Sequence, residues 1–317
     1  MEKAQLQEKL QHFRDDSESL SVEFYLQYED EQRNIRTYLP ATEENRLGNA
    51  LSGIVKSTIK GKFFVEHDDY QYEIVSANSA EASNIRQVYH IGKNEIPRAS
   101  LIFDRVLQNN ADDFPRNLEL EHVWAYIFKV DSATNGTIYL FKRNYPINVL
   151  KKDITYGLIF SNNMLKLFDK DLLRLSKSFD VMLIDNELII LNRSEFEKSF
   201  DYVGAMQATA AIRVTAIQNT NLVADIEKIR ELAGNKTTLK KLLNINPNSK
   251  VLAKKPSQIA KLAKKYKIEF EITEDGSQLD IKTKKAAIAF VEMLNDDFLK
   301  SEFSDDLYKI KGKSPIK

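Results

Sequence analysis

Apolar residues along this chain fall into two rhythms, and the clearest change of rhythm lies between residues 179 and 217. The stretch opens FDVMLIDNELIILN. Two short apolar runs, 179–184 and 188–192, flank Asp185-Asn186-Glu187. Asp and Asn bond their own local backbone and tolerate left-handed geometry, so the pattern predicts a β-hairpin. The runs do not alternate apolar with polar, which predicts strands central in a sheet with both faces buried. Ser194-Glu195-Phe196-Glu197 then reads as a capping box. Phe196, Phe200, Val203, Met206, Ala210, Val214 and Ile217 follow at steps of three and four, one apolar face of a helix.

The same two rhythms assign the rest of the chain. Leu6, Leu10 and Phe13 predict a short helix over 1–16. Residues 20–28 alternate as a strand with one buried face, and 35–39 is its partner, stopped by Pro40. Thr42 caps a helix carrying Leu47, Leu51, Ile54, Val55 and Ile59, with Gly48 and Gly53 weakening it. Strands are expected at 63–65 and 70–75 around His67-Asp68-Asp69, and at 85–91 after a polar loop. Pro97 opens a helix through Leu107. Residues 122–130 and 137–143 form a second hairpin, because Asn135-Gly136 supplies two positions that accept positive φ. Beyond Ile217, Asn221 caps a helix ending at Gly234-Asn235. Helices at 238–243 and 256–266 follow. A third hairpin, 267–272 with 278–282, turns at Asp275-Gly276, and Thr283 starts a last helix through Phe298. Many antiparallel strands with a few helices predict an α+β fold. The expected division is an α+β core domain over 1–217 and a smaller basic helical module with a β-hairpin over 218–317.

Composition changes this picture at one place. The chain has 317 residues, enough for one large or two ordinary domains. It has no cysteine, which excludes disulfides, thiol catalysis and thiolate metal sites. No apolar run reaches membrane-spanning length, and the N-terminus has acids and no apolar h-region, so it does not read as a signal peptide and a cytoplasmic protein is expected. The net charge of zero conceals an asymmetry. Between 236 and 267 stand Lys236, Lys240, Lys241, Lys250, Lys254, Lys255, Lys261, Lys264, Lys265 and Lys267, with no Asp, Glu or Arg. The remainder of the chain then holds 36 basic residues against 46 acidic ones, so the two parts carry equal and opposite net charge. A bipolar chain of this kind points to a polyanion docking at one end.

Those ten lysines are the candidate site. A solvated helix face ordinarily mixes Glu with Lys, and this one does not. Lysine suits phosphate as a point charge, whereas base readout favours Arg, Asn and Gln in forked geometry. The expectation is duplex DNA held by its backbone with little sequence preference. The helix order from 222 resembles a winged helix-turn-helix, but the link between 243 and 256 is much longer than the usual turn. Two alternatives stand beside DNA binding. One is a metal-dependent nuclease using Glu274, Asp280 and Lys282. The other is a non-catalytic scaffold whose lysines meet the acidic part of another copy. Asp275 is assigned to the turn, and Glu269 and Glu271 to a water-facing strand edge. The histidines show no ligand spacing, and no phosphate-binding or dinucleotide glycine motif occurs, so no cofactor is expected.

A further set of residues carries a resemblance. Residues 137–143 (TIYLFKR), Phe179-Asp180, 189–192, Phe196-Glu197, Phe200, 294–301 (LNDDFLKS), Tyr308 and Lys311 resemble the KwaB family of the Kiwa anti-phage defence system. The motifs cover roughly the last 180 residues, and they are strand, helix and cap positions, which mark a fold more than a reaction. The resemblance implies antiviral defence, with a DNA-binding effector that self-associates beside a small membrane-embedded partner, KwaA. Any association with the inner membrane would then run through that partner. The small residues Gly204, Ala205, Ala208, Ala210, Ala211 and Ala216 fit a close contact in a homodimer or larger assembly.

Overall fold

The computed structural model describes residues 2–14, 20–41, 44–64, 72–78, 86–115, 118–133, 136–151, 157–161, 164–168, 170–246, 249–300 and 307–309. The chain divides into two units, Met1–Ala77 with Ser83–Tyr202, and Asn78–Ala82 with Val203–Lys317. The expectations resting on Thr42, His67-Asp68-Asp69, Asn135 and Lys311 fall outside the described residues.

The first unit runs α1 (Lys3–Arg14), β1 (Leu20–Glu29), β2 (Ile35–Tyr38), α2 (Glu44–Phe63), β3 (Tyr72–Ser76), β4 (Arg86–Gly92) and α3 (Pro97–Leu107). It continues through β5 (Val123–Ser132), β6 (Gly136–Arg143), β7 (Val149–Leu150), β8 (Gly157–Ser161), β9 (Met164–Phe168) and β10 (Leu172–Leu173). It closes with β11 (Val181–Ile184), β12 (Glu187–Ile190) and α4 (Arg193–Ser199). Eight strands form one sheet in the order β2-β1-β5-β6-β11-β12-β4-β3, antiparallel throughout except between β3 and β4. The fold is α+β with a mostly antiparallel sheet, as the sequence predicts.

Both faces of the sheet are covered. Phe24, Leu26, Phe128, Leu140 and Met182 join Leu6, Leu10 and Phe13 of α1 and Leu51, Val55 and Ile59 of α2 in one core. On the opposite face Phe141 packs edge-on against Phe103 of α3 and against Phe200, just after α4. Strand β1 therefore buries Tyr25 and Gln27 as well as Phe24 and Leu26, not one face only. Gln27 donates to the Ile102 carbonyl and to Thr37, which satisfies its amide N–H groups there. Phe63 ends α2 and starts no strand. The β8–β9 hairpin forms a two-stranded sheet of its own, with Met164, Leu165 and Leu167 exposed.

The central hairpin forms as expected, with Asp185 and Asn186 both at positive φ (47° and 65°) in a two-residue turn. The helix after it differs from expectation in three ways, one being that Val203, expected on the apolar face, is exposed. Its cap is Asn192, not Ser194: the Asn192 side chain accepts from the Glu195 N–H, and α4 begins at Arg193. The helix also stops at Phe200, because Asp201 takes a positive φ of 49°, and a new helix starts at Tyr202.

Asp180 ties this region together. Its carboxylate is buried and accepts from Lys142 Nζ (2.8 Å), the Arg143 N–H (2.9 Å) and Asn192 Nδ2 (3.3 Å). Burial pushes its carboxyl above the ordinary aspartate value, with Lys142 pulling the other way. Lys142, Asp180 and Asn192 all belong to the motifs quoted above, so these motifs meet at one polar staple.

The second unit contains α5 (Tyr202–Gln218) from Val203 onward, α6 (Glu227–Arg230), α7 (Lys236–Leu243), α8 (Pro256–Lys265), β13 (Glu271–Ile272), β14 (Leu279–Asp280), α9 (Lys284–Leu294), β15 (Phe298–Lys300) and β16 (Leu307–Lys309). The helix expected from Asn221 shrinks to α6 and a short 3₁₀ turn. Asn221 is itself at positive φ, and residues 222–224 run extended: Ala224 donates to the Leu279 carbonyl and Leu279 to the Leu222 carbonyl. The last helix ends at Leu294 instead of Phe298, because Asp296 at positive φ turns the chain into the β15–β16 pair.

Candidate nucleic-acid interface

Helix α7 starts at Asn235, whose side chain accepts from the Thr237 and Thr238 N–H groups. Leu239 and Leu242 are buried beneath it. This orientation leaves Lys236 exposed and Lys240 half-buried. Lys241 is engaged otherwise. Its ammonium pairs with Glu292 of α9, a carboxylate only 2% exposed, and its carbonyl accepts from Asn295 Nδ2 (2.9 Å). Its charge is spent within the unit.

Residues 244–255 separate α7 from α8, so the two form no tight helix-turn-helix. Helix α8 opens with Pro256 at its first position, and Gln258 accepts from the Lys255 N–H. Ile259 and Ala263 are buried, which fixes the helix face and sends Lys261, Lys264 and Lys265 outward. The helix ends at Tyr266, and Lys267 at φ 58° reverses the chain. Lys250, Lys254, Lys255, Lys261, Lys264, Lys265 and Lys267 are all exposed, and among the described residues none has an acidic partner. Close to the groove described next, Lys284 and Lys285 add exposed ammonium groups at the start of α9. The sequence reading missed these two, although the KTKK run at 282–285 was in plain view.

A groove of about 660 Å³ lies between α8, the β13–β14 hairpin and the first turn of α9. Lys261 and Lys264 line one wall, and Glu271, Asp280 and Lys282 the other. Glu271 stands directly across from Asp280 in the strand pairing. Lys282 Nζ bridges the two, 2.7 Å from Glu271 and 2.9 Å from Asp280, and these two carboxylates raise its pKa. The second acid near Asp280 is therefore Glu271, which the sequence assigned to solvent. Glu274 has no part in the cluster. Asp275 serves the turn: the Thr273 hydroxyl, then the Ser277 hydroxyl and N–H, donate to it and hold its carboxyl down to about 2. In this structure the two carboxylates are engaged by Lys282 as an ion-pair set on the groove wall.

Among the described residues, one other cluster could close on a cation. Ligand atoms of Glu119, Glu121 and His122 lie within 4.8 Å of one another. Lys151 already pairs with Glu121, and the group is largely exposed. Spacing between histidines alone could not find it, because its other members are carboxylates. No helix among the described residues is long and apolar enough to cross a membrane.

Comparison with known proteins gives one family. The family model described as "Kiwa protein KwaB-like" matches residues 120–304. The Kiwa protein KwaB of Escherichia coli O55:H7 is 25% identical over 183 residues, which are 56% of this chain and 58% of that relative. The chain thus spans less than two thirds of that relative's length in the match. No solved structure matches.

Proposed function

The chain belongs to the KwaB-like family, and from that premise we propose that it serves anti-phage defence by binding duplex DNA through the lysine surface of its second unit. One observation carries the reading: seven exposed lysines between 250 and 267 with no acidic partner among the described residues. Lys284 and Lys285 enlarge that surface. Lysine contacts to phosphate fix position without reading sequence, so binding is largely independent of sequence. Lys241 takes no part, since its charge is committed to Glu292. In the assembly we propose, the protein self-associates and meets the membrane only through an embedded partner of the KwaA kind. The exposed apolar and small residues of α5 (Val203, Ala208, Ala211, Ile212) are suited to the contact between copies.

The test is a titration of labelled linear duplex across a salt series, with and without Mg²⁺. With about five phosphates neutralised, log affinity falls against log salt with a slope of about −4 to −5. A five-fold Lys→Glu variant at 254, 255, 261, 264 and 265 loses binding. A flat salt response, or full binding by that variant, removes the reading. Cleavage that needs Mg²⁺ and disappears in Asp280→Ala replaces it with the nuclease reading, and no retardation at all leaves the scaffold. Light scattering on the same samples gives a mass above the 36.5 kDa of one chain; a monomer at micromolar concentration ends the self-association proposal.

A further inference from the structure

The lysine surface accounts for a phosphate backbone but not for the groove beside α8. A track for duplex phosphates would be cationic throughout. This groove is not: its two walls differ in chemistry. Lys261 and Lys264 on α8 are exposed and without acidic partners among the described residues. Ala260, Ile268 and Phe270 supply apolar lining between the walls. Across from them stand acceptors. Glu269 has no cationic partner among the described residues, and Glu271 and Asp280 share Lys282. A carboxylate repels a phosphate but accepts well from an exocyclic amine on a base edge. An apolar, partly aromatic lining suits the face of a base and offers nothing to a phosphate. At about 660 Å³ the space is in the range of small-ligand sites.

We propose that this groove binds one unpaired nucleotide, its phosphate on Lys261 and Lys264, its base over Ile268 and Phe270, and its base edge turned to the carboxylate wall. The proposal rests on the DNA-binding reading above and sharpens it: the preferred substrate carries a single-stranded end or gap. A base inside a duplex presents its edges only within the grooves and its faces not at all, so a paired nucleotide cannot make these contacts. The same chemistry would accept a free nucleotide, and the two sources are separable.

The experiment compares a blunt duplex with the same duplex bearing a short 3′ single-stranded tail, by fluorescence anisotropy at fixed salt. Stacking of one base contributes enough for roughly five- to a hundredfold in affinity, so the tailed duplex binds about tenfold more tightly. The ratio of the two affinities is the readout. Filling the groove with Ala260→Phe brings the ratio down to about one. Phe270→Leu, which keeps an apolar group against Phe290, lowers it in part. Reversing Lys254 and Lys255 weakens both substrates together and leaves the ratio. Tails of deoxycytidine or deoxyadenosine, whose bases carry an exocyclic amine, bind better than thymidine tails. Competition by millimolar free mononucleotide that collapses the ratio assigns the source to free nucleotides; no competition assigns it to a strand end. Equal affinity for blunt and tailed duplexes, or a ratio untouched by Ala260→Phe, overturns the proposal while leaving duplex binding standing. Failure to bind any DNA overturns the earlier reading instead.

Discussion

Replacing Asp180 tests whether the family motifs are held together by one buried carboxylate. In Asp180→Ala, three donors lose their acceptor: Lys142 Nζ, the Arg143 N–H and Asn192 Nδ2. The Lys142 side chain is only 16% exposed and the Asp180 side chain 1%, so solvent cannot take over freely. Breaking one partner of a buried ion pair costs about 3–5 kcal/mol. An orphaned buried N–H costs about 1–3 kcal/mol by itself. The two overlap because the same cavity admits some water, and about 4 kcal/mol is the expected total. For a unit of this size each kcal/mol moves the midpoint by about 2–4 °C, so thermal unfolding followed by circular dichroism shifts down by about 8–16 °C. Three comparisons sharpen the result. Burial raises the Asp180 pKa, so the stability this group contributes is greatest below the ordinary aspartate value and declines as pH rises through the raised one. Asp180→Asn keeps an acceptor without the buried charge, and costs about half as much as alanine at neutral pH. Lys142→Met combined with Asp180→Ala costs less than the two single changes added. A shift under about 3 °C for Asp180→Ala, or simple additivity in the double variant, would refute the staple.

Asp275 has the opposite sign. Its carboxyl is held down to about 2, so its contribution is fully present above about 3.8 and is lost as pH falls through about 2. The stability gap between wild type and Asp275→Ala narrows between those values, and a carbon-detected carboxyl titration with an ordinary midpoint near 3.9 would count against the turn assignment. Lys241→Met removes the ammonium from the buried Glu292 carboxylate and lowers stability by about 2 kcal/mol, with no change in the DNA salt slope; a slope flatter by one unit would place Lys241 on the DNA instead.

Much of this architecture is legible in the order of residues, for identifiable reasons. The central hairpin is readable because its turn chemistry and its flanking apolar runs agree. The helix start at Asn192 was missed because Ser194 offers an equally good hydroxyl, and only the extended backbone at Asn192 decides between them. The break at Asp201 leaves no trace in the apolar period, which carries on across it. Residues 222–226 read as helix because Leu222, Val223 and Ile226 are spaced for one, yet pairing with Leu279 draws part of the segment into an extended form, a tertiary override of local pattern. The lysine run was visible as charge. Its partition was not, because Glu292 neutralises Lys241 from 51 residues away; nor was the pairing of Lys282, outside the run, with Glu271. Such pairings depend on which faces meet, and no one-dimensional spacing encodes them.

The hairpin of β11 and β12 also bears on which insertions and deletions this chain can survive. A strand with one wet face has its pairing policed by hydrophobicity, because a slip of one residue turns its apolar side chains outward. Here Met182 and Leu183, like Leu188 and Ile189, are buried on opposite faces, so a slipped strand would bury nearly as much apolar surface as the correct one. Alignment must instead come from the few polar groups with a single address: the left-handed pair Asp185–Asn186 at one end and Asp180, between Lys142 and Asn192, at the other. A length change between those two anchors would be lethal to the fold even if every inserted residue were apolar, whereas an apolar exchange at Met182 or Ile189 would be forgiven. In homologous chains, the distance from Asp180 to Asn192 is therefore expected to vary less than the identity of the hydrophobic residues it encloses.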